Sequence, residues 1–457
     1  MEPNPNQDHA QLAATFNQDP ARVDWHDETL WTIRQRRDTR AHQVPEWEAL
    51  REMASQIKDN VLSNLYEYLQ QFERNAIANG ITVYWADSAE EHNQIIYEIL
   101  SKRKITGMVK SKSMLTEECG LNEYLGVRGI DVIDSDLGER IIQLAHQRPT
   151  HIVLPAIHLK KEEIGEIFHE HLGTPEGLSD PQELTEAARQ SLRKTFLSRR
   201  AALTGVNFGI AETGEFVVCT NEGNADMGAH LADVHIASMG IEKLVPARQH
   251  MGIFLRLLAR SATGQPITTY SSHFSVPRKG QEMFIVLVDK GRTRQLGRKD
   301  FRASLKCIKC AACMNTCPVY RRSGGYSYQY TIAGPIGSIL APNLDMDKYK
   351  SLPFASTLCG SCTNICPVKI DIHQQLFKWR QEIISSGKGS SQKTMSMKLM
   401  AGVLSSPSKY RFSGRFLRWV LKRMPFLVNN KMNPWYKQRE MPKAPSQSFK
   451  DWYKKNA

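Results

Sequence analysis

Four cysteines fall within eleven positions in the run Cys307-x2-Cys310-x2-Cys313-x3-Cys317, and Pro318 follows the last of them. Three more stand in Cys359-x2-Cys362-x3-Cys366, again followed by a proline, Pro367. The chain has nine cysteines among 457 residues, so most of them are spent on these two stretches. Thiolates are soft ligands suited to iron–sulfur clusters, and two-residue gaps let one tight loop present several of them to one inorganic core. The fourth cysteine of such a run points away from its own loop, and in two-cluster ferredoxins it ligates the other cluster. The proline behind it ends the loop and turns the chain. Crossing the ligands over assigns Cys307, Cys310, Cys313 and Cys366 to a first cluster, and Cys317, Cys359 and Cys362 to a second. Zinc is the competing reading. A structural zinc site uses two separated cysteine pairs around one tetrahedral ion, and seven cysteines split four and three do not match it.

The second set is one thiolate short. Counting back from Cys366 with the spacing of the first motif, the missing member falls on Ser356. Three arrangements satisfy the spacing: a three-iron cluster, a four-iron cluster with an exchangeable or oxygen ligand, or a ligand from elsewhere in the chain. The expectation is a [4Fe–4S] cluster that readily loses one iron to become [3Fe–4S]. Cys119 and Cys219 lie far upstream and read as ordinary buried thiols. Downstream, VKIDIHQQLFKWRQEII (368–384) has the apolar spacing of a helix that could cover a cluster, and its His373 reads as a packing residue.

These ligands need a scaffold, and the preceding sequence supplies one. Short β-branched runs at 81–86, 105–110, 130–135 and 151–157 alternate with helical stretches such as EEHNQIIYEILSKRK. That rhythm predicts an α/β domain with a mostly parallel sheet. GVNFGIAETGEFVVCTNEGN (205–224) reads as a hairpin turning at Thr213-Gly214, and 241–246 and 282–290 as further strands. The resulting division is a disordered start to about residue 20 and a helical segment within 1–70, an α/β domain over 71–295, an α-helical ferredoxin-type domain over 296–385, and a linker with a basic tail over 386–457. No internal repeat is visible apart from the two cysteine motifs.

Composition narrows the function classes. The chain is 41% hydrophobic and 23% charged, as expected of a core-forming protein, and its longest apolar runs are too short to span a bilayer. The polar, acid-containing N-terminus lacks the pattern of a signal peptide. A cytoplasmic location is expected, where disulfides are rare. The net charge of +13 is concentrated in the tail: residues 378–457 hold eighteen Lys and Arg against Glu382, Glu440 and Asp451, which leaves the rest near −2. Within that tail, Phe412, Phe416, Trp419, Val420 and Met424 share one helical stripe, interleaved with Arg415, Arg418, Lys422 and Arg423. A basic amphipathic helix suits an acidic protein partner, or a peripheral contact at the inner face of a membrane. Nucleic acid is not the expected partner.

Taken together, the motifs VKSKSMLTEE (109–118), GVNFGIAETGEFVVCTNEGN (205–224), CIKCAACMNTCPVY (307–320) and LCGSCTNICPVKI (358–370) resemble those of the lactate utilisation iron–sulfur protein B family. The resemblance extends along nearly the whole chain. It implies a fold like the sugar-isomerase and CoA-transferase group for the α/β domain, two [4Fe–4S] clusters on the crossed ligand sets above, and a second set that lacks an eighth thiolate. It further implies action with other lactate-utilisation proteins in oxidising L-lactate to pyruvate.

Removing two electrons from a 2-hydroxy acid usually needs nicotinamide or flavin, and the chain has neither G-x-G-x-x-G nor G-x-x-x-x-G-K-[ST]. An electron-transfer subunit is therefore the leading expectation. The alternatives are a self-sufficient organic-acid oxidoreductase with its active site in the α/β domain, and an iron–sulfur protein that binds nucleic acid through its tail. For an active site, Lys110, Ser111, Lys112 and Ser113 follow a strand, where anions often bind. Glu212 in the hairpin, with Asn221, Glu222 and Asn224 after it, completes a candidate anion or substrate pocket. The competing reading is a solvated face with a helix cap and an ordinary turn.

Overall fold

The computed structural model describes residues 7–389, 391–430, 433, 436 and 443–456, with 391–393 as backbone only. A boundary at Gln381/Glu382 separates two compact units.

The first unit is built on ten strands: β1 (Thr82–Ala86), β2 (Gly107–Lys110), β3 (Asp131–Asp134), β4 (Ala201–Gly205), β5 (Phe208–Ile210), β6 (Phe216–Thr220), β7 (Val234–Gly240), β8 (Leu244–Val245), β9 (Tyr270–Phe274) and β10 (Glu282–Val288). Six form a wholly parallel sheet in the order β1-β10-β7-β4-β2-β3. Parallel strands buried on both faces read as near-continuous apolar runs, and β10 does so, with Met283 to Val288 all buried. One face packs Ile96, Leu100, Leu121 and Leu125 against Leu203, Ile236 and Val286. The other packs Phe72, Phe216 and Val218 against Met239, Ile285 and Leu287. Strands β8-β5-β6-β9 form a second, smaller sheet. The expected hairpin is β5 and β6, antiparallel, with Gly214 at a φ of 71° in the turn.

Several expectations are corrected. The run 151–157 is not a strand but a series of turns. Its Ile152 is buried, and the His151 Nε2 ring atom pairs with Asn315 Oδ1 at 2.8 Å, so the run faces the cysteine region and leaves β3 at the sheet edge. Strands β4, β7 and β9 went unanticipated. Residues 9–16 are helical rather than disordered: Asp8 caps the helix through Gln11 N, and His9 packs edge-on against Tyr328 at 4.7 Å. The N-terminal helical segment is not continuous, and one of its breaks, at Asn64, separates Trp47–Ser63 from Leu65–Ala78.

Beyond β10 the first unit has no strand, only short helices and loops, among them Ala312–Thr316, Ser361–Ile365 and the start of the helix Ile372–Ser385. The second unit holds the helices Ser391–Leu404, Pro407–Arg423 and Phe449–Asn456. In the middle one, Phe412, Phe416 and Trp419 are exposed on the expected stripe. Among the described residues, no helix is long and apolar enough to cross a membrane.

Candidate metal centres and the pocket beside them

The two cysteine motifs fold as two copies of one loop. Lys309 and Ala311 take φ values of 60° and 62°, and the equivalent Leu358 and Gly360 take 55° and 80°. Left-handed residues at alternate positions curl the chain so that side chains on either side of them converge. A five-residue helix follows in each copy, Ala312–Thr316 and Ser361–Ile365, and each ends on an extended cysteine, Cys317 or Cys366, that a proline follows.

The fold gathers the seven thiols into two groups. Cys307, Cys310, Cys313 and Cys366 line one small cavity together with Ile152, Ile308, Ile336, Val368, Ile370 and Ile372. Cys317, Cys359 and Cys362 interact electrostatically with one another. In the first group burial pushes the Cys310 thiol up to about 12 and Cys366 to about 11, and neighbouring cysteines add to the Cys310 rise. Burial likewise pushes Cys362 up to about 12. Thiols so placed become thiolates only beside a cation. Backbone donors already point at the sulfurs: Lys309 N to Cys307 Sγ at 3.4 Å, Tyr320 N to Cys317 Sγ at 3.5 Å and Ile370 N to Cys366 Sγ at 3.4 Å. Hydrogen bonds of this kind stabilise anionic sulfur and are one lever on cluster potential. Soft donors, a dry wall and aimed N–H groups suit an iron–sulfur core.

The N-terminal helices hold these loops, a role their sequence did not announce. From Trp47–Ser63, Arg51 donates to Cys366 O at 2.9 and 3.1 Å and to Asn364 O at 2.6 Å. From Pro20–His42, Arg37 donates to Ile365 O at 3.2 Å, and Arg34 reaches Thr316 and Ser361. Asn364 O and Ile365 O belong to the last turn of the short helix Ser361–Ile365, where acceptors lack intrahelical partners, and Cys366 O also accepts from Lys369 N at 3.2 Å.

A cavity of about 340 Å³ lies where β2, β4 and β7 end, the usual ligand position of a parallel sheet, and it extends to Cys310. Gly205 permits it to form, since a Cβ there would lie 2.6 Å from Ser113 Cβ and 2.9 Å from Lys112 O. Of the expected pocket residues, Lys112, Ser113, Asn221, Glu222 and Asn224 line it. Lys110 does not. It is fully buried between Asp134 (2.6 Å), Glu117 (2.8 Å) and Glu139 (3.6 Å), three carboxylates from separate elements that keep it charged. Ser111 is buried in the backbone pairing beside β4, bonded from its N to Leu203 O at 2.9 Å. Glu212 lies in the β5–β6 turn, accepting from Arg248 N at 3.0 Å.

The pocket is cationic toward the cysteines. Arg292, Lys243 and Lys309 line it, with Glu242 and Glu118 as acids. Burial would raise Glu242, but Arg292, Lys243 and Lys309 outweigh it and hold the carboxyl at about 2. Arg292 pairs with Glu242 at 2.6 Å and Lys309 with Glu118 at 3.7 Å. No acid lies within ion-pair distance of Lys243 Nζ among the described residues. Glu222 stands at the mouth, where burial and then Asp136 push its carboxyl up to about 7. Cys219 also lines this pocket, while Cys119 is buried elsewhere. Burial raises both thiols, to about 11 and about 12.

Comparison with known proteins agrees with these features. The LUD domain family matches residues 69–295, the 4Fe-4S dicluster domain residues 303–370, and the lactate utilisation protein B C-terminal family residues 380–457. Lactate utilization protein B of Oceanobacillus iheyensis is 40% identical over 439 residues, covering 93% of this chain and 91% of its own. This chain belongs to the lactate utilization protein B family. The Geobacillus thermodenitrificans member is 41% identical over 424 residues, covering 89% of this chain and 88% of its own. A solved DUF162 family protein from Deinococcus radiodurans aligns with 49% of this chain and 98% of its own, at 15% identity and a TM-score of 0.27. As a family member, the chain carries an iron–sulfur dicluster region between its α/β domain and a basic C-terminal family region.

Proposed function

We propose that this chain is the iron–sulfur electron-transfer subunit of a multi-protein system that oxidises L-lactate to pyruvate. In this reading Cys307, Cys310, Cys313 and Cys366 hold one [4Fe–4S] cluster. Cys317, Cys359 and Cys362 hold a second, which loses one iron readily to become [3Fe–4S]. The observation that carries it is the convergence of four thiols from both motifs on one apolar cavity. Lactate oxidation releases two electrons, and a bound cluster supplies one-electron transfer. The chain's own residues do the rest. Ile152, Ile308, Ile336 and Ile370 exclude water from the first set, and Arg37 and Arg51 place positive charge beside it. Cys359 is exposed, which gives the second set an edge for a partner protein. The relatives' name, with the lactate-utilisation regions at either side of the cysteines, supports the substrate system. The basic helix Pro407–Arg423 suits an acidic partner from that system.

Anaerobic purification with iron and sulfide counting and EPR tests the reading. About eight irons per chain supports it; a colourless protein, or one holding a single zinc, overturns it.

A second reading is favoured by the pocket that reaches Cys310. In it, Lys243, Lys112 and Arg292 hold the carboxylate of a small organic acid, and Glu222 takes or gives a proton at the mouth. The purified chain would then turn over lactate alone with an artificial acceptor. Absence of turnover, with clusters intact, leaves the electron-transfer subunit as the function.

A further inference from the structure

The geometry points to Ser356 Oγ as the fourth protein ligand of the second cluster. This inference rests on the two-cluster reading above.

The repeat itself carries the assignment. Ser356 stands at the position of Cys307 in the first loop, and the backbone treats the two alike. Cys307 Sγ accepts from Lys309 N at 3.4 Å, and Ser356 Oγ accepts from Leu358 N at 3.1 Å. The donors share the left-handed conformation, with φ of 60° and 55°. That conformation is uncommon for a leucine and persists only where the surroundings impose it. The second loop therefore keeps the strained shape that a full four-ligand loop uses, even though its first thiol is absent.

Ser356 is also fixed and free to bind. Arg380 donates to Ser356 O at 2.6 Å and to Pro353 O at 2.8 Å, which pins the turn. The hydroxyl makes no other hydrogen bond among the described residues, and the residue is half-buried. Neighbouring hydroxyls are engaged: Thr316 Oγ1 and Ser361 Oγ lie 2.5 Å apart and both meet Arg34. The two other cysteines sit elsewhere, Cys219 in the pocket beside β4 and Cys119 at the end of the helix Met114–Cys119.

Ligation would exchange the serine O–H bond for an O–Fe bond, with the proton released to solvent and no electron moved. An alkoxide is a harder donor than a thiolate and matches iron–sulfur cores less well. The iron it holds is then the labile one, without being open to any passing ligand.

The full-length protein, purified anaerobically with its clusters, is compared with Ser356→Ala and Ser356→Cys. As purified anaerobically, the wild type and Ser356→Cys should each hold about eight irons. Ser356→Ala should lose one of them and give a three-iron EPR signal, and Ser356→Cys should resist conditions that convert the wild type. ENDOR in water enriched in the magnetic oxygen isotope should show a coupled water oxygen in Ser356→Ala and none in the wild type. Identical iron content and EPR in wild type and Ser356→Ala, or a coupled water in the wild type, overturns the serine ligand while leaving the two clusters standing. A wild type without two clusters overturns both.

Discussion

The two cysteine loops share a backbone but not an environment. The first set sits behind isoleucines from four parts of the chain, with Arg37 and Arg51 close by. The second has Cys359 exposed and a serine where the first has Cys307. Loop geometry therefore sets which ligands converge, and the surroundings set what the site can do. A shielded site with fixed cations suits a stable potential, since burial and charge both act on it. An accessible site with a weaker ligand suits exchange with a partner.

This contrast can be broken most severely by removing a ligand. Cys313→Ala should cut iron to about half while leaving the EPR signal of the second set, and Cys362→Ala should do the reverse. Loss of both signals from either change would mean the sets are not independent. Next in size is the clamp. Arg51→Met leaves Asn364 O without its donor and Cys366 O with Lys369 N alone, and should destabilise the holoprotein by about 1–3 kcal/mol. Denaturant unfolding checks this, and an unchanged midpoint would show that the clamp is redundant. A smaller effect is expected in the pocket on the second reading, in which Lys243→Met should weaken lactate or pyruvate binding about tenfold by titration calorimetry, the equivalent of one charge-assisted bond. The smallest comes from pH. Glu222 is neutral below about 7 and anionic above it. A bound carboxylate would then be repelled more by the mouth as pH rises. Affinity should therefore fall a few-fold through that range, and Glu222→Gln should flatten the profile.

The cysteine motifs were legible because their spacing is local, and ligands within a few residues must share a loop. β1, β2, β3, β10 and the hairpin were legible for the same reason. β7 was not, because His235 and Ser238 interrupt its apolar run; in the fold they bond to Thr204 Oγ1 and to His92 Nε2, each at 2.9 Å. The pocket was half legible. Its Lys112 and Glu222 stand in recognisable turns, but Lys243 and Arg292 reach it from distant segments. Lys110 was misread because its three carboxylate partners come from other elements and only the fold assembles them. The arginine clamps left no local trace, since each pairs with backbone that could belong to any residue.

One feature of that clamp reaches into how the protein is made. Arg51 and the Cys366 carbonyl it holds are 315 residues apart in sequence. Translation delivers the arginine early and the cysteine late, and domains generally fold in that order. The N-terminal helices must wait through synthesis of the whole α/β domain before they can grip their target. On the proposed ligand set, loading of the first cluster is thereby tied to a nearly finished polypeptide, because synthesis must pass residue 366 before its four thiols are complete.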